Sequence, residues 1–174
     1  MRVLGLITSP GAARMAVLET DGRTIEAFGP TGAGDLEGFL AENGPFDLIG
    51  LRGDGDSRQL ARTSGVPVAC DFGAGPLNAV YYRARVRASG LERPAAVVDG
   101  AEVILIAANG LLTAGGPELL RQAKSMVETR EWGEFVEVEA TAYLAARCWN
   151  GWPISFSGTT GAPYPATGGR IVRP

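Results

Sequence analysis

Apolar residues recur in short runs over the first 30 positions of the chain. Residues 2–7 form one run and residues 13–19 a second. Asp21-Gly22 is a favourable two-residue hairpin turn, after which residues 23–28 return as the partner strand. The pattern predicts a β-meander of three antiparallel strands at the start of the chain.

Helical and strand-like segments then alternate. Leu36, Phe39 and Leu40 have helical spacing after Asp35, which can cap the start of a helix over residues 35–43. The next segments are a buried strand at 46–51, a short helix at 57–63 and a second buried strand at 66–70. This order predicts parallel strands joined by right-handed crossovers.

The second half of the chain continues the mixed pattern. We predict helices over residues 77–90, 117–128 and 134–148, strands over 95–98 and 102–107, and a Pro- and Gly-rich tail over 151–174 without helical period. The result is an α/β fold in a single compact domain, 1–174. A meander followed by helix-linked parallel strands is also the order expected of a ribonuclease-H-like half, which residues 1–110 would form.

Composition and charge narrow the range of functions. The chain has 174 residues, 45% of them hydrophobic and 20% charged, and a formal net charge of −3. No run of like charge is long enough to hold nucleic acid or an anionic membrane, and the alternating Arg83, Arg85 and Arg87 indicate a solvated face. Neither an N-terminal signal pattern nor a spanning helix is present in the sequence, so we expect a cytoplasmic protein.

The chain contains no histidine, which removes the commonest general base and zinc ligand. Its two cysteines, Cys70 and Cys148, lie in apolar segments and are interpreted as structural thiols, not as a disulfide or a metal site. We therefore expect no metal site, and chemistry that rests on carboxylates, hydroxyls, Lys or backbone amides.

Two loops carry candidate ligand contacts. Gly53, Asp54 and Gly55 could hold a sugar or a phosphate, because glycines let backbone amides approach a ligand, although a plain turn is the simpler interpretation. Asp71 follows a buried strand at the edge where α/β sheets bind ligands, and a helix N-cap explains it equally well. The remaining candidates, Gly115-Gly116 before a helix and the set Glu134, Glu137 and Glu139, do not form a demonstrated site.

Several segments, taken together, resemble one family. Residues 138–145, 150–153, 156–162 and 167–169 resemble the C-terminal end of anhydro-N-acetylmuramic acid kinases in order, spacing and content. Weaker matches occur upstream in the same order, at residues 2–6, 46–50 with 53–55, 65–68 with Asp71-Phe72, 75–77 and 92–98. The resemblance implies an actin-like sugar kinase fold, reduced to about one lobe plus the C-terminal helix and tail, with 111–174 as the remnant of the second lobe. It also implies that Glu139 matches a glutamate near the sugar site.

The departures from the family pattern affect phosphoryl transfer. The family's first phosphate loop is here residues 8–13, which lack its aspartate and contain Pro10, a residue without an amide donor. The family's His-Gly-Gln segment is replaced by Leu51-Arg52-Gly53. The aspartate expected as catalytic base is missing between Asp71 and Gly75, so Asp71 is only a nearby substitute. The nucleotide-phosphate motif has no counterpart, and the nucleotide-binding residues are unknown.

Three hypotheses follow from this combination. The first is a kinase-like protein without kinase activity, a pseudo-enzyme that needs no cofactor and acts by binding an amino sugar through Glu139, Asp54, Gly53 and Gly55 or by binding a protein. We expect a homodimer or a protein partner, because a helix that once packed on a second lobe would leave apolar surface bare. The second hypothesis is a divergent kinase that uses Mg-ATP and Asp71, and the third is a structural subunit of a larger complex.

Overall fold

The computed structural model describes residues 1–72, 135–155 and 163–174. Between these ranges it describes the backbone of residues 95–98 and 101–104 and the three helical residues Tyr81, Ala84 and Ala88. The predicted helix over 117–128 and the tail segment 156–162 lie outside the described residues, as does most of the predicted helix over 77–90.

The described elements alternate between strands and helices along the chain. In chain order they are β1 (Arg2–Ser9), β2 (Ala12–Thr20), β3 (Ile25–Ala33), α1 (Leu36–Asn43), β4 (Leu48–Gly53), α2 (Ser57–Ser64), β5 (Val68–Cys70), β6 (Ala95–Val98), β7 (Ala101–Ile104), α3 (Val136–Trp149) and β8 (Arg170–Val172).

Six of the strands form one mixed sheet. Its order is β3-β2-β1-β4-β5-β8, in which β1, β2 and β3 are antiparallel neighbours and β4 and β5 run parallel to β1. β8 adds to the edge of β5 in the antiparallel direction. β6 and β7 form a separate antiparallel pair. The predicted α/β class, opening meander and parallel crossovers are confirmed.

The pleat divides the sheet residues between two buried layers. Leu4, Leu6 and Ile49 point to the face covered by α1 and α2. Val3 and Leu48 point to the opposite face, which α3 covers together with Tyr81. Successive strand residues point to opposite faces, so the continuous apolar runs of β1 and β4 fill both layers at once.

Helix α3 lies against the sheet over a row of small residues. In register across four strands these are Ala16, Gly5, Gly50 and Ala69. A Cβ atom at Gly5 would overlap the carbonyl oxygen of Val138, and one at Gly50 would lie 2.5 Å from the carbonyl oxygen of Thr141. The missing side chains therefore let the backbone of α3 approach the backbone of the sheet.

Helix α3 is buried on nearly all sides. All of its residues from Val136 to Arg147 are buried except the half-buried Glu137, and Trp149 is 37% exposed. The predicted span 134–148 agrees closely with the observed one. Since the helix is packed within the chain, it lends no bare apolar face to a dimer, and the homodimer stays a prediction.

The connection between β2 and β3 differs from the prediction. We expected a two-residue turn at Asp21-Gly22, but β3 begins at Ile25 and the turn spans residues 21–24. The Asp21 carboxylate accepts hydrogen bonds from the amides of Arg23 and Thr24, both at 2.7 Å. These bonds tie up the two amides that a strand starting at Arg23 would need.

Arg147 joins this turn to the end of α3 and to the tail. Its guanidinium is buried and donates to the carbonyl oxygens of Gly22 and Pro153, both at 2.7 Å. It also lies 5.9 Å from the centre of the Trp152 ring. The tail, predicted without regular structure, then returns to the sheet as β8, a strand that the sequence analysis missed.

Replacing Gly5 or Gly50 with alanine should destabilise the protein by about 1–3 kcal/mol, because the added methyl group overpacks the contact with α3. Urea unfolding followed by circular dichroism measures the change. Gly11→Ala is the control, because it also adds a methyl group but meets no atom within 4 Å and carries only the strain of a φ of 72°. Equal losses in the three variants would contradict the close-approach explanation.

Candidate functional site

The parallel strands end together at one edge of the sheet. β1 ends near Thr8, β4 ends at Gly53 and β5 is followed directly by Asp71. The Thr8 hydroxyl donates to the Arg52 carbonyl oxygen at 3.3 Å, which ties the ends of β1 and β4 together. Gly53 has a φ of 98° and lies so close to the Thr8 carbonyl oxygen that a Cβ atom there would overlap it.

A cavity of about 520 Å³ opens at this edge. It is lined by Leu51, Arg52, Gly53, Gly55, Ser57, Cys70, Asp71, Phe72 and Arg170. Its volume is in the range of small-molecule sites, and its wall combines apolar side chains with a few polar groups. We call this cavity the edge cleft.

Asp71 projects into the edge cleft from an unusual backbone. Its φ is 60°, and it is the only non-glycine residue with a positive φ in the described part of the chain. Asp adopts this left-handed conformation more readily than most residues do. Such conformations cluster at functional positions.

Arg170 holds the Asp71 carboxylate. Its Nε donates to Oδ2 of Asp71 at 2.8 Å, and the two side chains are 49% and 64% exposed. Arg170 reaches this position because it pairs with Cys70 in the β5–β8 register. The hydrogen bond from Arg170 lowers the pKa of Asp71, so the carboxylate stays ionised over an extended acidic range.

Both cysteines are free thiols, as predicted. Cys70 lies in the wall of the edge cleft and belongs to the layer between the sheet and α2, whereas Cys148 packs with the layer around α3. Burial raises the pKa of both thiols. Thiols with a raised pKa stay protonated near neutral pH and are weak nucleophiles.

Glu139 lies outside the edge cleft. It is 7% exposed, belongs to α3 on the opposite face of the sheet and accepts a hydrogen bond from the Tyr81 hydroxyl. The Tyr81 ring in turn lies 5.8 Å from the ring of Tyr143. The carboxylate therefore has a partner within the core, and its role as a sugar contact stays a prediction.

The structure thus brings together three of the five predicted site residues. Asp71, Gly53 and Gly55 line the edge cleft, while Asp54 is exposed between the two glycines and Glu139 lies elsewhere. The sequence analysis did not name Arg52, Ser57 or Arg170 as site residues. Arg52 and Ser57 lie within two residues of the loop 53–55, which we call the glycine loop, so the local sequence could have identified them. Nothing in the local sequence placed Arg170 beside Asp71.

Two features are not found within the described ranges. No three acidic or cysteine side chains there are grouped so as to hold a metal ion. No helix of the described part is long and apolar enough to cross a lipid bilayer.

Comparison with curated proteins gives a consistent set of relatives. The chain is 27% identical to the anhydro-N-acetylmuramic acid kinase of Phenylobacterium zucineum over 368 residues, covering all of both chains. It is 26% identical to that of Caulobacter vibrioides over 366 residues, covering 99% of each. A third, from Rhizobium johnstonii, is 32% identical over 164 residues, covering 88% of this chain and 43% of the relative.

The alignments with the Phenylobacterium and Caulobacter proteins are each more than twice as long as the 174 residues of this chain. More than half of their positions therefore have no residue of this chain aligned to them. No protein-family profile matches the chain.

Replacing Arg170 with glutamine should raise the pKa of Asp71 toward its ordinary value, because the group that favours the ionised carboxylate is lost. An NMR titration of the side-chain carboxyl carbons measures this shift. Asp56 is the internal control, since the amides of Gln59 and Arg58 lower its pKa and the substitution leaves them in place.

The ion pair also fixes a pH window. Its contribution to folding is present above the ordinary pKa of aspartate and is lost as the pH falls through the lowered pKa of Asp71 in the folded state. A carboxyl resonance of Asp71 that titrates identically with and without Arg170 would show that the ion pair does not form in solution.

Proposed function

The chain is a divergent member of the anhydro-N-acetylmuramic acid kinase family, and we propose that it binds an amino sugar in the edge cleft without transferring phosphate to it. The observation that carries this proposal is the ion pair between Asp71 and Arg170 in the wall of the cleft. It favours recognition of a polar ligand and disfavours proton abstraction.

The ion pair with Arg170 makes Asp71 poorly suited to abstract a proton. A base must accept a proton during the reaction, and it does so best when its pKa is close to the working pH. The bond from Arg170 moves the pKa of Asp71 in the opposite direction and occupies one oxygen of the carboxylate. Asp71 is therefore a poor replacement for a catalytic base.

The same groups suit sugar hydroxyls. A carboxylate accepts hydrogen bonds from hydroxyl groups, a guanidinium donates them, and a fixed ion pair presents both functions at a set distance. Phe72 and Leu51 add apolar surface to the same wall. The volume of about 520 Å³ supports a ligand of small-molecule size.

The strand order supports the finer fold assignment. An antiparallel meander β3-β2-β1, extended by β4 and β5 parallel to β1, agrees with the ribonuclease-H-like lobe expected from the sequence. We propose that this lobe is an actin-like sugar kinase half. The division of the chain at residue 110 and a cytoplasmic location stay predictions.

A divergent kinase is the second candidate, favoured by the left-handed backbone that directs Asp71 toward the cleft. Such an enzyme would need Mg-ATP. The turn after β1 does not favour such a site, because it contains Pro10, which lacks an amide to donate to a phosphate. The structural-subunit hypothesis predicts no ligand at all.

Anhydro-N-acetylmuramic acid alone should raise the melting temperature of the full chain, with no further rise from Mg-ATP, because a ligand that binds the folded state stabilises it. Asp71→Asn should weaken sugar binding by about tenfold or more through loss of the charged acceptor. Glu42→Gln is the matched control, since it removes a negative charge from the exposed surface of α1.

Differential scanning fluorimetry and isothermal titration calorimetry give the two readouts. A rise in melting temperature that requires Mg-ATP, or conversion of ATP to ADP in the presence of the sugar, would contradict the non-catalytic proposal and favour the kinase. The absence of any shift with sugar or nucleotide would favour the structural subunit.

A further inference from the structure

Gly169, the residue before β8, lies where a side chain has no room. A Cβ atom there would lie 2.8 Å from Sγ of Cys148, 3.1 Å from Cδ1 of Phe72 and 3.2 Å from the carbonyl oxygen of Cys70. An added methyl group in such a contact forces its neighbours or its own backbone to move. The φ of 87° at Gly169 is also one that residues with a side chain rarely adopt. Two separate constraints therefore favour glycine at this position.

The segment that enters β8 directs Gly169 and Arg170 to opposite faces of the sheet. Ile171 packs with the layer around α3, and Val172 packs with the layer between the sheet and α2. Since successive residues of a strand alternate between faces, Arg170 shares the face of Val172. Gly169 shares the face of Ile171, on which Cys148 lies. The approach to α3 and the charge in the edge cleft are thus on two sides of one short segment.

Gly168 makes a second close approach to the segment after α3. A Cβ atom there would lie 2.5 Å from Cδ1 of Ile154, a side chain that is 6% exposed. The amide of Ile154 donates to the carbonyl oxygen of Ala166 at 2.9 Å, so a backbone hydrogen bond joins the two segments beside this contact. The chain before Arg170 is therefore held close to the end of α3 at two successive positions.

The ion pair of the edge cleft depends on where this segment lies. Arg170 pairs with Cys70 in the β5–β8 register, and its Nε donates to Oδ2 of Asp71 at 2.8 Å. Both side chains of the ion pair are exposed, so the backbone of β8 determines whether the guanidinium reaches the carboxylate. A displacement of about 1 Å would take the two atoms out of hydrogen-bonding range.

We propose that Gly168 and Gly169 are positioning residues of the edge cleft. By letting the chain approach Cys148 and Ile154, they set β8 at the place where Arg170 reaches Asp71. The inference rests on the proposed function for its effect on the sugar, which the two glycines influence without contacting it. Its effect on the ion pair does not depend on any ligand.

Gly169→Ala should raise the pKa of Asp71 toward its ordinary value, as Arg170→Gln does, because the added methyl group displaces Arg170 from the carboxylate. It should also weaken the binding of anhydro-N-acetylmuramic acid by about tenfold or more, the loss expected for a charged hydrogen-bond donor. NMR titration of the side-chain carboxyl carbons measures the first effect, and isothermal titration calorimetry measures the second, both on the full chain.

A second substitution and a matched control separate overlap from backbone strain. Adding Cys148→Ala to Gly169→Ala should reverse part of both effects, because it removes the sulfur atom that lies nearest to the new methyl group. Gly151→Ala is the control, since Gly151 also has a left-handed φ, of 66°, but its added methyl group meets no atom within 4 Å. This control should leave the Asp71 titration and the sugar affinity as they are in the parent protein.

If Gly169→Ala does not fold, the second contact gives the test. Gly168 is not among the glycines with a positive φ in the described chain, so Gly168→Ala adds a methyl group without that strain. It should raise the pKa of Asp71, and Ile154→Val in the same chain should reverse part of the rise, because it removes the Cδ1 atom that the methyl group meets.

Three results would overturn the inference. They are an Asp71 titration that the glycine substitutions leave unchanged, an equal change in Gly151→Ala, and a change that neither Cys148→Ala nor Ile154→Val reverses. The titration also separates this inference from the proposed function. If the parent protein binds no sugar, the proposed function fails, while the pKa of Asp71 in the same variants still decides whether the two glycines position Arg170.

Discussion

The close contact between α3 and the sheet determines the rest of the structure. It depends on Gly5 and Gly50, neighbours on adjacent parallel strands, each of which leaves space where a side chain would meet a helix carbonyl. With the helix this near, its alanines pack in the same buried layer as Tyr143. The two buried layers then form on opposite faces of one sheet whose strands already carry apolar residues on both sides.

A few side chains join segments that are distant in the sequence. Arg147 donates to carbonyl oxygens of the β2–β3 turn and of the segment after α3, and the aromatic ring of Trp152 lies 4.3 Å from the guanidinium of Arg23. These contacts fix where the tail leaves the helix. Further along the chain, the pairing of β8 with β5 brings Arg170 alongside Cys70, where it completes the edge cleft.

Local sequence determines some of these features and not others. The strands and helices of the first 72 residues follow from apolar periodicity and from the caps at Asp35 and Asp56, which act within one turn of the chain. Asp71 and the glycine loop could be predicted as site residues because each directly follows a strand that the local pattern predicts. The approach of Arg170 depends on pairing between β5 and β8, and the engagement of Glu139 by Tyr81 depends on which face of the sheet the last helix covers. Neither was encoded in a short pattern.

Strand β8 has a second consequence, for association between copies of the chain. It covers the backbone edge of β5, whose residues Val68, Ala69 and Cys70 would otherwise present free amides and carbonyls beside an apolar surface. An open edge of this kind is a template for pairing with another strand. The outer edge that β8 leaves is only three residues long and carries Arg170. The segment that completes the cleft therefore also covers the β5 edge against pairing with another chain.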